Sequence, residues 1–180
     1  MPQSFFSNTV TEDDILPGDH LYCWSSILHH HHGIYIGGAD KSIIHVYGDQ
    51  KLLSEVQQVK LEEFTRGGRI KRACYNRPTW ELFVKAPGTV FNFPSDPPHM
   101  VIQRAQTALG ESPTLSPELQ HLKVAKPWRY SLLFKNCETF CLQCTAPKVH
   151  HGSHQAKMFL LNPFATIASG VRTRLGEWMR

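Results

Sequence analysis

The sequence predicts an α+β fold, a small antiparallel sheet packed against helices. Two observations carry this. Short apolar runs separated by turn residues fill the first half of the chain, and helix start and stop signals gather in the second. Residues 1–14 read as a polar lead-in, with Glu12, Asp13 and Asp14 as a solvated acidic stretch. Pro17-Gly18-Asp19 is a turn signal, after which His20–Trp24 forms a short strand. His29–Gly37 and Ser42–Gly48 are the next two strands. Between them, Gly37-Gly38-Ala39-Asp40 has the turn chemistry of a hairpin. Val56–Leu61 is a further strand, followed by a short helical turn that Gly67-Gly68 breaks. Arg69–Tyr75 alternates like a strand on a wet edge.

The helix signals come next. Asp96 precedes Pro97, an N-cap followed by proline at the first helical position. Val101, Ala105, Ala108 and Leu109 form one apolar stripe that Gly110 closes. Residues 111–127 contain three prolines and read as an insertion, with a helical turn at Ser116-Pro117. Tyr130–Phe134 is a short strand. Asn136 then caps a helix that opens on Cys137.

A length of 180 residues allows one domain with a real core. Hydrophobic content of 41% with 19% charged residues is that of a soluble globular chain. The net charge of +4 is too mild for the dense basic patch of a nucleic-acid binder, so no nucleic acid is expected. It does allow weak attraction to an anionic membrane surface. The cysteines are odd in number, and three crowd into Cys137–Cys144, which is not a disulfide framework. A reducing, cytoplasmic setting is expected. Residues 1–14 lack the apolar core of a signal peptide, and no stretch has the length of a clean membrane span.

Cys137 is the most informative residue. A helix start carries partial positive charge and free N–H groups, which favour a thiolate, so its pKa is expected to fall. The same N–H groups can hold an oxyanion. Taken alone, an inert buried cysteine is an equally good reading. The strand His31-His32-Gly33-Ile34-Tyr35-Ile36-Gly37 and the run Ile43-Ile44-His45-Val46-Tyr47 add two histidines, a base and an orienting group for such a nucleophile. Strand alternation points His29 and His31 one way and His30 and His32 the other, without choosing between the pairs. It also lets at most two of the four meet one metal ion, and no converging ligands are visible elsewhere. Cys137, Cys141 and Cys144 match the spacing of iron–sulfur enzymes that cleave S-adenosylmethionine. Too little chain follows Cys144 for the barrel those sites open, and Cys141 and Cys144 read as core residues on one helical face. No cofactor and no metal is expected.

His31-x-x-Ile34-Tyr35-Ile36-Gly37, Ile43-Ile44-His45 and Asn136-Cys137-Glu138-x-Phe140 occur together, and Pro17-Gly18-Asp19 precedes the first strand. In these pieces the chain resembles the lecithin–retinol acyltransferase-like family, a circularly permuted papain-like fold related to bacterial NlpC-type peptidases. The resemblance covers residues 15–146, which it implies are the catalytic domain. It implies that Cys137 is the nucleophile, that His31, four positions before Tyr35, is the general base, and that His45 is the orienting histidine. Thr139 departs from the histidine that many members carry there, at a position that is not catalytic. The implied activity is a thiol-dependent acyltransferase or phospholipase A-type hydrolase acting on lipid or other acyl esters. A cysteine peptidase or amidase and a non-catalytic interaction module are the alternatives.

Residues 147–180 form a C-terminal extension. Asn162-Pro163 is a helix start, and Phe164, Ile167, Ala168, Val171, Leu175 and Trp178 fall on one stripe with Arg172, Arg174 and Arg180 beside it. Residues 158–180 therefore suit a membrane surface or packing on the domain. Gly170 and Gly176 weaken the isolated helix by about 1 kcal/mol each. Sedimentation with anionic liposomes separates the two readings. A lipid-facing tail predicts that the full chain binds while a folded chain ending at Gly152 does not, and a packed tail predicts equal binding.

Overall fold

The computed structural model describes residues 8–24, 30–47, 54–110, 136–148 and Val171. The strands are β1 (His20–Trp24), β2 (His30–Gly37), β3 (Ser42–Tyr47), β4 (Glu55–Lys60) and β5 (Lys71–Arg72). The helices are α1 (Leu61–Thr65), α2 (Glu81–Val84), α3 (Pro98–Leu109) and α4 (Cys137–Thr145). The strands form one sheet in the order β4-β3-β2-β1-β5, antiparallel at every junction. The architecture is therefore α+β, as expected. The expected strand at Tyr130–Phe134, the insertion 111–127 and the C-terminal helix lie outside the described residues, apart from an exposed Val171. Among the described residues no helix is long and apolar enough to cross a membrane.

Side chains alternate across the pleat, and this divides the core into layers. On one face Ile34, Ile44 and Val46 pack against Val101 and Ala105 of α3 and Phe140, Cys141 and Cys144 of α4. Cys141 and Cys144 are thus core residues. On the other face Leu21, Cys23, Tyr35 and Ile43 pack beneath Leu61 and Phe64 of α1. The β2–β3 turn needs positive φ at Gly37 (+76°) and Gly38 (+82°).

Some local expectations change. Leu61 is not the end of β4 but the first residue of α1, where its N–H donates to Lys41 O at 2.9 Å. The expected wet-edge strand 69–75 shrinks to β5, and Lys71 is fully buried. The cause is a neighbour: Asn8–Val10 run beside it, with Arg72 N–H donating to Asn8 O (2.9 Å) and Val10 N–H to Ile70 O (3.1 Å). Asp96 does not cap α3. The cap position is Pro97, and the Asp96 carboxylate pairs instead with Arg104 Nη1 at 2.7 Å, a charged partner that a backbone N–H does not outbid. The α3 stripe holds for Val101 and Ala105, while Ala108 is exposed. Gly110 ends the helix in the left-handed region, as the sequence indicates.

Gly33 is where the layers come closest. A Cβ added there would meet Ile43 Cγ1 and Cδ1 at 2.9 Å and Phe64 Cε2 at 3.1 Å. Gly33→Ala should therefore destabilise the fold by about 1–3 kcal/mol through overpacking. A lower urea midpoint with unchanged m checks this, and an unchanged midpoint contradicts it.

Candidate active site

Asn136 positions the cysteine. Its Oδ1 accepts from Thr139 N–H (2.9 Å), and its own N–H donates to Thr139 Oγ1 (2.7 Å). This reciprocal capping box fixes the first turn of α4 and places Cys137 at the first helical position. Thr139 thus has a structural task that its spacing from Asn136 made readable in the sequence.

The thiol then meets the edge of β2. Tyr35 N–H donates to Asp19 O (2.9 Å), and Tyr35 O accepts from Gly18 N–H (2.7 Å), both on the β1 side. Backbone groups alternate sides along a strand, so His30 and His32 present theirs toward β3. The β2–β3 ladder starts only at Gly33↔His45. Beyond that point the Cys137 thiol donates to His30 O at 3.8 Å and accepts from His32 N–H. A helix packed on one face of the sheet thereby delivers its sulfur to a cavity on the other.

That cavity, of about 640 Å³, is lined by Cys137, His31, His45 and Cys23 among others. His31 Nε2 and His45 Nδ1 are 2.6 Å apart. Phe64 packs on both rings, with centroids at 5.0 and 5.6 Å, and Tyr47 stacks on His45 at 5.8 Å. The three residues singled out in the sequence are thus gathered around one space. His31 Nε2 is thus engaged by His45.

Burial sets the charge states. It pushes the Cys137 thiol up to about 11, against the backbone N–H groups that favour a thiolate. The fall expected from the helix start is therefore overturned, because desolvation of a buried sulfur outweighs the dipole. Burial also lowers His31 to about 4 and His45 to about 3, with the Arg66 charge adding to both. The Cys137 thiol and the two imidazoles that line the cavity are therefore all held in their neutral forms.

The opposite face of β2 holds a second cluster, which the sequence did not reveal. Thr145 Oγ1–H donates to Cys141 O (2.9 Å), and Tyr75 Oη lies 2.8 Å from Thr145 Oγ1. His20 Nδ1 lies 2.7 Å from Tyr75 Oη, and His20 Nε2 lies 2.8 Å from His32 Nδ1. Because the threonine spends its only proton on the carbonyl, Tyr75 must donate to Thr145 and accept from His20 Nδ1–H. His20 Nε2 then accepts from His32 Nδ1–H. Parity within a strand could not reveal it, because His20 and His32 lie on different strands and share a face only through the β1–β2 register, with His20 opposite Ile34. Among the described residues no group of three or more histidine, cysteine or acidic side chains could hold a metal ion.

The buried histidines predict acid lability. His20, His31 and His45 are held near 3–4, below the usual histidine range. Between those values and about 6.5 the unfolded chain binds more protons. Stability from these rings is therefore complete above about pH 6.5 and is lost as pH falls toward 4. The urea midpoint should drop between pH 7.5 and pH 5, and an equal midpoint at both would contradict the burial of neutral rings.

The described geometry can be set beside known proteins. The family model described as lecithin retinol acyltransferase matches residues 13–116, a span that holds His31 and His45 and ends before Cys137. Protein LEAD-SENSITIVE 1 of Arabidopsis thaliana is 27% identical over 202 residues, covering 91% of this chain and 72% of that protein. The chain belongs to the lecithin retinol acyltransferase family, a membership that suggests an acyltransferase-like function.

Proposed function

We propose that this chain transfers or hydrolyses acyl groups of lipid esters through an acyl-thioester on Cys137. The single observation that carries the reading is the shared cavity of Cys137 with the bonded pair His31–His45. His31 Nδ1 takes the thiol proton as the sulfur attacks the ester carbonyl. The N–H groups at the start of α4 stabilise the oxyanion. Collapse breaks the C–O bond, and His31 returns its proton to the leaving alkoxide. Water, an alcohol or an amine, deprotonated by His31, then attacks the thioester and frees the cysteine. For Nδ1 to carry a lone pair, the His31 proton must sit on Nε2 and be donated to His45 Nδ1, so His45 orients the base and selects its tautomer. The chain order histidine, histidine, cysteine is read as a circular permutation of a papain-like site, in which the cysteine comes first.

The lipid ester comes from the family, and the residues supply the thiol acyl chemistry. In this reading the cavity's apolar lining, Val59 and Phe64, receives the acyl chain.

Incubation with mixed phospholipids followed by mass spectrometry should show an acyl adduct on Cys137. His31→Ala should slow turnover by roughly 10²–10⁴-fold, and His45→Ala by less. Absence of any adduct, or a His31→Ala enzyme with full activity, contradicts the mechanism. Peptide cleavage without lipid activity would point to an amidase instead.

A further inference from the structure

We propose that Gln57 is a further positioning residue of this site: its side-chain carbonyl takes the outer proton of His45 and so fixes the tautomer on which the base His31 depends. This rests on the acyl-thioester reading above and lengthens its hydrogen-bonded run by one residue.

The demand comes from His45. For His31 Nδ1 to carry a lone pair, His45 Nδ1 must accept from His31 Nε2–H, so a neutral His45 keeps its own proton on Nε2. That nitrogen is buried and makes no hydrogen bond among the described residues, on a residue only 5% exposed. A buried N–H without an acceptor is costly, more so than a bare ring nitrogen. Without a partner the pair is therefore drawn to the other arrangement. In it His45 donates from Nδ1 to His31 Nε2, the His31 proton moves to Nδ1, and the base is lost.

Gln57 stands where the missing acceptor is needed. The strand β3 lies between β2 and β4. His45 meets His31 of β2 through Nδ1, and the two nitrogens of an imidazole diverge, so Nε2 turns away from β2. On β4 the residue directly opposite His45 is Gln57, which sets their Cβ atoms about 4.5–5.5 Å apart on one face. Both line the cavity. The Gln57 amide spends its donor end on Glu55, Nε2 to Oε1 at 2.7 Å, two residues back on the same face. Its carbonyl is the end that remains, and a turn about the side-chain torsions carries it to His45 Nε2–H. Every donor then points one way, from the Cys137 thiol through His31, His45 and Gln57 to the exposed Glu55 carboxylate. Hydrogen bonds aligned in one direction strengthen one another. Ser54 and Glu63 also line the cavity, but neither is paired with His45 in the sheet.

The contact and its role are tested separately in the full chain. Long-range proton–nitrogen correlation spectra distinguish the protonated ring nitrogen of His45 from the bare one. The unsubstituted chain should carry the proton on Nε2. Gln57→Leu should admit the Nδ1–H form, and Gln57→Glu, a stronger acceptor, should restore Nε2–H and move its proton downfield. Turnover of a monomeric short-chain diacylglycerophospholipid reads the role. Gln57→Leu should lower kcat by roughly 3–10-fold, the worth of one neutral hydrogen bond, with KM unchanged, and Gln57→Glu should recover most of the loss. His45 signals that neither substitution moves, a proton on Nδ1 in the unsubstituted chain, or full kcat in Gln57→Leu overturns the proposal. So does a larger response of His45 Nε2 to Glu63→Gln than to Gln57→Leu. The acyl reading fails separately, through absence of a Cys137 adduct in the unsubstituted chain, and the ring-nitrogen signals then still decide whether Gln57 holds His45.

Discussion

The site depends on a short stretch of β2 that β3 does not reach. A sheet edge left beside a buried helix would strand its backbone groups, and unmet buried polar groups are costly. Here the Cys137 thiol meets two of them, His30 O and His32 N–H. That contact does three things at once. It satisfies the edge, it fixes the register of α4 against the sheet, and it brings a sulfur from one face of the sheet to histidines on the other. Period-two alternation then does the rest, because it sends His31 and His45 into the same layer as Phe64 and Tyr47.

The same contact explains the electrostatics. A thiol buried enough to plug an edge cannot also be an open, solvated thiolate. The dipole of a nine-residue helix contributes about 0.3–1 kcal/mol at an exposed end, less than the desolvation of a buried sulfur. The histidines are driven in the opposite direction for the same reason. Low dielectric disfavours both charged forms, and the neutral pair is the compromise the fold adopts.

Much of this was legible in the sequence, and the legible parts share a property: they are local. The strands His20–Trp24 and Ser42–Tyr47, the Asn136 cap and the Gly110 stop each depend on neighbours a few residues away. What was missed depends on contacts far apart in the chain. Nothing near Lys71 foretells that Asn8–Val10 will cover it, and nothing near Asp96 foretells Arg104 as its partner. Of the site, the family resemblance chose His31 over its neighbours, and parity alone could not. The buried chain through Tyr75 and Thr145 joins residues whose sequence neighbourhoods are unremarkable.

That buried chain has a mechanical consequence. The first residue of α4 is held by the backbone of His32, and the last is linked through Tyr75 and His20 to the side chain of the same histidine. The helix is pinned at both ends to a single point on β2. An axial slide or a roll of α4 would have to break an oriented run of hydrogen bonds whose direction is dictated from the far end by the Cys141 carbonyl. Thermal motion is thereby left with few directions in which to carry the sulfur away from His31. A change at Thr145, remote from the cavity, would free those directions, so that the tether is felt at the nucleophile as looseness and not as a lost contact.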